Sequence, residues 1–115
     1  MSSDGTDDDG ELSFERAVAA DKPFFVWHNT TRMHVWTHLS PEWDGKTGHG
    51  LYADGMAQHD HDIGRLLDKL DELGIADNTI VIYISDNGIA FPGAKTTVYE
   101  PGLNLPCIVR TIHVR

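Results

Sequence analysis

Apolar positions along this chain gather into a few short runs, separated by stretches rich in Gly, Pro and polar residues, and those runs lay out the elements. Thr79-Ile80-Val81-Ile82-Tyr83-Ile84 is continuous and β-branched, the pattern of a strand buried on both faces. It ends abruptly at Ser85-Asp86-Asn87-Gly88. Phe24-Phe25-Val26-Trp27 predicts a second buried strand with His28 and Asn29 at its carboxyl end, and Leu105-Pro106-Cys107-Ile108-Val109 a further short one. Between them, Ile63, Leu66, Leu67, Leu70 and Leu73 form one apolar stripe at 3/4 spacing and predict a helix over Met56 to Leu73, closed by Gly74 at C′. Phe14 to Ala20 has the spacing of a short helix, stopped by Asp21-Lys22-Pro23. The order strand, helix, strand predicts right-handed parallel connections, hence an α/β sheet with its site loops on one edge.

Thr30 to Asp54 shows no sustained period and is rich in Gly, Pro, Thr and His, with two Trp; loops of that length in compact domains are usually functional or disordered. Its aromatic and His content favours function.

The 115 residues suffice for one small domain with a modest core. Nine basic against eighteen acidic side chains give a net charge of −9, which argues against nucleic acid as a partner, because phosphate affinity comes from Lys and Arg. Asp4, Asp7, Asp8, Asp9 and Glu11 fall in an opening with almost no apolar residues, so residues 1–13 read as an acidic disordered lead-in and 14–115 as the folded domain. The single Cys107 has no internal disulfide partner and reads as a small buried hydrophobe. No stretch is long enough to span a bilayer, and the opening lacks the basic and apolar regions of an export signal. No membrane contact is therefore expected.

Asp86 and Asn87 stand at the carboxyl end of a strand, where open α/β sheets bind ligands, and offer the hard oxygens that Ca²⁺ and Mg²⁺ prefer. The same tripeptide also suits a plain turn, although Pro92 and Gly93 break the second strand that a hairpin would need. Seven histidines invite a metal reading. His34 and His38 are four apart but lie in a segment without a helical stripe, and no His-Glu-x-x-His pattern occurs. His59-Asp60-His61-Asp62 reads as a solvated helix start, its acids placed by the helix dipole. Ser85 is a strand-end residue, and neither a Gly-x-Ser-x-Gly elbow nor a Gly-rich phosphate loop is present. The chain offers binding groups without an obvious attacking group.

Lys22-Pro23-Phe24-Phe25-Val26-Trp27 leading to Asn29-Thr30-Thr31-Arg32-Met33-His34, then Tyr52-Ala53-Asp54-Gly55-Met56, the helix ending Leu66-Leu67-Asp68-Lys69-Leu70-Asp71-Glu72-Leu73-Gly74, Asp77-Asn78-Thr79 and Ser85-Asp86-Asn87-Gly88 together resemble the sulfatases of the alkaline-phosphatase-like superfamily. Lys95-Thr96-Thr97 and Tyr99-Glu100-Pro101-Gly102 extend the likeness, which covers about residues 14 to 110 and the later half of the family's catalytic domain. The Asn29 to Leu39 stretch looks like general arylsulfatases. The short link from Asp86-Asn87-Gly88 to Lys95 looks more like the heparan N-sulfatase type.

The resemblance implies a fragment of a mixed, mainly parallel sheet flanked by helices, from a parent that hydrolyses a sulfate ester or sulfamate on a small molecule or glycan. It implies that Asp86 and Asn87 ligate a divalent cation, usually Ca²⁺, with Mg²⁺ as the alternative. Lys95 would pair with the sulfate, and His34 would hydrogen-bond the sulfate or protonate the leaving oxygen. Preplaced positive charge and a neutral-pH proton donor suit that chemistry. The family's formylglycine arises from a Cys/Ser-x-Pro-x-Arg signature, which this sequence lacks, as it lacks the family's amino-terminal acidic ligands. The rivals are a phosphoester or phosphonate hydrolase of the same superfamily and a non-catalytic anion-binding chain. Family members are often periplasmic, secreted or lysosomal, which leaves the compartment open. A partial sheet also implies exposed edges and self-association.

Overall fold

A computed structural model of the chain describes residues 7–34 and 36–111. It divides into two compact units, residues 1–76 and 77–115. The first is helical. Helix α1 spans Asp7–Ala19 and helix α2 spans Leu51–Glu72.

Helix α1 begins seven residues before the expected start at Phe14, which corrects the reading of residues 7–13 as disordered; residues 1–6 lie outside the described residues. Charge register explains the extension. Glu11 meets Arg65 at 2.9 Å and Glu15 meets Lys69 at 3.4 Å, so acids four apart on α1 face bases four apart on α2. Each such pair is worth about 0.2–1 kcal/mol near the surface. Lys69 also reaches Glu72 at 2.8 Å, and Glu72 is the main cause of an ammonium pKa held above its ordinary value. Gly10 sits where α1 meets α2, and its missing side chain leaves room for Leu66. Phe14, buried, stacks on Phe24 with ring centroids 5.3 Å apart, and Leu70 is the most buried residue of the apolar stripe.

Phe24 to Trp27 is the second correction. The segment forms no strand; it is irregular, with Phe25 84 % and Trp27 71 % exposed. Alternate positions, Phe24 and Val26, are half-buried. The alternation is that of a strand, but no described segment pairs with it.

Helix α2 starts five residues earlier than expected, at Leu51, and ends as expected. Gly74 adopts φ 67°, and Ile75 N–H donates to Leu70 O at 3.0 Å, the long bond of a Schellman cap. No helix among the described residues is long and apolar enough to cross a membrane.

The second unit opens with a 3₁₀ turn over Ala76–Asn78 that begins in the first, followed by β1 (Val81–Ile84), the one-turn helix α3 (Glu100–Leu103) and β2 (Cys107–Arg110). The pairing is antiparallel, with Ile82 opposite Val109 and Ile84 opposite Cys107. The expected strand-helix-strand connection ran from Phe24 to Trp27 through α2 to β1, and it falls with the first of those strands. A parallel return needs a crossover of a dozen or more residues, usually a full helix. Here the connection contains only the single turn of α3, and the chain leaves β1 at Ile84 and enters β2 at Cys107 beside it, so it returns at the same end and runs antiparallel. Cys107 is exposed, not buried as the apolar run suggested, because the two-stranded sheet leaves its face open.

Candidate functional site

The four residues singled out from sequence fall in both units: His34 in the first, Asp86, Asn87 and Lys95 in the second. Each unit positions its own.

In the second unit Asp86 and Asn87 follow β1 directly, with Asp86 exposed and Asn87 half-buried. Ser85 Oγ donates to Asn87 O at 2.9 Å and Ser85 N–H to Pro106 O at 3.4 Å, so the turn is fastened at its start to the chain entering β2. Gly88 is buried against the start of α3. A β-carbon there would stand 2.1 Å from Pro101 O and 2.9 Å from the Cα of Gly102. Gly102 makes the next close approach, since its β-carbon would stand 2.5 Å from both Ala94 O and Thr97 O. Two glycines thus clasp the Asp86-Asn87 turn, α3 and the loop around Lys95 together, and Lys95 N–H donates to Ile89 O at 3.1 Å. The segments that carry Asp86-Asn87 and Lys95 are thereby packed against the same short helix. Backbone contacts that only glycine permits hold them there.

In the first unit His34 is exposed on the loop between Phe24 and α2. Its imidazole Nδ1 accepts the Trp36 N–H at 3.3 Å. Thr37 Oγ1 donates to His34 O at 2.7 Å and receives the His34 N–H at 3.4 Å. His38 presents its carbonyl to Arg32 at 3.5 Å, and no group of three or more metal-ligating side chains occurs among the described residues.

What sequence reading missed is the surface that holds this loop. The most buried face of α2 is polar: Asp54, Gln58 and Asp62, one per turn, are 1 %, 7 % and 7 % exposed. Asp54 accepts Thr47 N–H at 2.7 Å, Thr47 Oγ1 at 2.6 Å and Gly45 N–H at 3.0 Å. Gln58 accepts Ser40 N–H at 3.3 Å, and Asp62 pairs with Arg32 at 3.1 Å. Hydrogen bonds from the Thr47 hydroxyl and amide foremost hold the Asp54 carboxyl below its ordinary pKa against the opposing effect of burial. Gly55 completes the contact, its face meeting the Met33 thioether and the Thr37 methyl. Trp43, buried, stacks on His61 at 5.3 Å and carries Lys46 over its ring at 3.6 Å.

The reading of His59 to Asp62 as a solvated helix start is therefore corrected for His59 and Asp62, both buried. The available signal was the spacing of Asp54, Gln58 and Asp62 at i, i+4 and i+8, the same period as the apolar stripe.

Comparison with known proteins sets these features in a family. The sulfatase family model matches residues 10–114. The chain is 33 % identical to an N-acetylgalactosamine-6-O-sulfatase of Bacteroides thetaiotaomicron, over 78 % of this chain and 22 % of the relative. It is 31 % identical to the human N-acetylgalactosamine-6-sulfatase, over 84 % and 21 %, and 31 % identical to the steryl-sulfatase of Mus musculus, over 77 % and 17 %. The crystal structure of the PsFucS1 sulfatase from Pseudoalteromonas sp. superposes with a TM-score of 0.82 at 26 % identity, over 91 % of this chain and 23 % of that one. The chain spans about a fifth of the length of the curated relatives it matches. With its α/β elements, it belongs to the sulfatase family.

Proposed function

We propose that this chain forms the later part of a hydrolase that cleaves a sulfate ester or sulfamate, with Asp86 and Asn87 contributing to a metal site, Lys95 pairing with the sulfate and His34 serving as proton donor. The observation that carries the reading is the glycine clasp, which packs the Asp86-Asn87 turn and the Lys95 loop against the same short helix of a sulfatase-family chain.

Asp86 and Asn87 supply two hard oxygens, the donor type suited to Ca²⁺ or Mg²⁺. Ca²⁺ takes about six to eight ligands, and no third acidic or imidazole group joins the pair among the described residues. The pair fits part of a coordination shell, and the remaining ligands come from outside these residues. Sulfatases in general use a metal ion and a formylglycine, and the Cys/Ser-x-Pro-x-Arg signature for the latter is absent from this sequence. The metal would supply fixed positive charge at a sulfate oxygen.

The residues of this chain act on the sulfate and on the leaving group, and the attacking group lies outside it. Water adds its oxygen to sulfur as the bond from sulfur to the leaving oxygen or nitrogen breaks, giving sulfate and an alcohol, phenol or amine. Lys95 offsets charge on the sulfate oxygens, and His34 delivers a proton to the departing atom. The relatives named for N-acetylgalactosamine-6-sulfate and steryl sulfate support a sulfated glycan or small molecule as substrate.

The test is hydrolysis of an aryl sulfate by a polypeptide that joins this chain to a segment bearing the Cys/Ser-x-Pro-x-Arg signature. Asp86→Ala and His34→Gln should each lower the rate by about 10² or more. Asp77→Ala, in the turn before β1, should leave it within about twofold, inside the ±0.5 kcal/mol usual for surface changes. Full activity in Asp86→Ala would reduce Asp86-Asn87-Gly88 to a plain turn.

A further inference from the structure

We propose that Arg32, clamped by Asp62 of α2, is a positioning residue that fixes the imidazole of His34 as its Nε2–H tautomer. The inference rests on the reading of His34 as the group that faces the sulfate or the leaving oxygen, and names which ring nitrogen it presents there.

The chain of contacts is short. Arg32 Nη1 donates to Asp62 Oδ2 at 3.1 Å, with the two side chains 13 % and 10 % exposed. Its second nitrogen, Nη2, reaches His38 O at 3.5 Å, so one guanidinium links the helix to both ends of the segment that carries His34. Within that segment Thr37 closes on His34 through both of its backbone groups, and Thr37 is itself buried against Gly55 of α2. The segment so held directs the Trp36 N–H at His34 Nδ1, 3.3 Å away. A neutral imidazole that accepts at one nitrogen must carry its proton on the other. Nδ1 accepts, so Nε2 holds the hydrogen and is the nitrogen that can donate a hydrogen bond to a sulfate or leaving oxygen.

The cost of the arrangement argues for position over stability. Arg32 Nε is buried with no hydrogen-bond partner, and a buried ion pair is weak evidence for net stabilisation. What a forked guanidinium adds over an apolar side chain is one defined geometry between helix and loop.

The test needs no turnover. In the full chain labelled with ¹⁵N-histidine and held near pH 8, above the usual imidazole range, long-range ¹H–¹⁵N spectra report the two ring nitrogens of His34, assigned through His34→Gln. The expected wild-type signature is one acceptor-type Nδ1 and one protonated Nε2, well separated. In Asp62→Asn and Arg32→Lys the two resonances should move toward each other as the tautomers average, while the Thr47 amide, bound to Asp54, keeps its shift and reports an intact fold. Asp62→Glu should restore part of the separation. An averaged or Nδ1–H wild-type ring would overturn the proposal. So would unchanged His34 nitrogens in Arg32→Lys with a native Thr47 amide, and that variant decides should Asp62→Asn unfold. A fixed tautomer together with a His34→Gln enzyme of full activity would refute the proton-donor reading alone.

Discussion

Gly88 lies so close to Pro101 that a β-carbon at position 88 would stand 2.1 Å from the Pro101 carbonyl oxygen, well inside van der Waals contact. The obstacle is backbone, so a rotamer change cannot relieve it. Gly88→Ala should destabilise the second unit by about 1–3 kcal/mol or more, the range for overpacking. Gly64→Ala provides the contrast, since a β-carbon there meets nothing within 4 Å inside α2. That variant should stabilise by about 0.5–1 kcal/mol through helix propensity. Urea unfolding of both variants beside the parent chain checks the two signs.

Asp54 makes the first unit acid-sensitive. Its folded-state pKa is depressed, with the Thr47 hydroxyl the leading cause, so the unfolded chain binds the proton more readily than the folded one. The stabilisation is therefore present above the ordinary carboxylate value near 3.8 and is lost as pH falls through the lowered one. Exchange of the Thr47 and Gly45 amides should accelerate in that window, relative to amides in mid-α2. In Asp54→Asn the same amides should exchange fast at neutral pH and lose that pH dependence.

Metal affinity of the isolated chain should be weak. Two side-chain oxygens fall far short of a Ca²⁺ shell, which places the dissociation constant in the millimolar range or above. The chain alone should not turn over an aryl sulfate above background, with or without Ca²⁺. Calorimetric titration and a turnover assay on repurified protein check both. Lys95→Ala should leave metal binding unchanged while weakening inhibition by sulfate in the longer polypeptide, because its charge acts on the anion.

The sheet face is the source of a fourth expectation. Ile82 and Val109 pair directly across the strands at 60 % and 51 % exposure, with Ile84 beside them at 55 %. Exposed apolar faces and open strand edges promote association. The chain should bind a hydrophobic dye and sediment as more than a monomer, and Ile82→Lys with Val109→Glu, an opposite-charge pair across the ladder, should reduce both.

Legibility from sequence followed the physics of each segment. The β1 run, the Cys107 strand and the Gly74 cap are legible as elements because local chemistry decides them, β-branched continuity in the first two and a left-handed residue in the last, but the expected burial of β1 on both faces is not found: Ile80, Ile82 and Ile84 are exposed. Phe24 to Trp27 carries the side chains of a strand, yet strand formation needs a partner and none of the described residues supplies it. The start of α1 was hidden because Glu11 and Glu15 look like solvated acids until Arg65 and Lys69 of α2 face them. The same blindness concealed the polar stripe of α2. A buried Asp or Gln is recognised by its partners, and these lie 7 to 30 positions away.

That stripe also constrains how the helix can change in length. Asp54, Gln58 and Asp62 succeed one another at four-residue steps, and each holds a different point of the preceding loop. Because every residue turns an α-helix by about 100°, one residue inserted or deleted between 54 and 62 would swing at least one of the three away from the loop. Unequal insertion is thus tolerated least in the stretch of α2 that looks most polar and most dispensable.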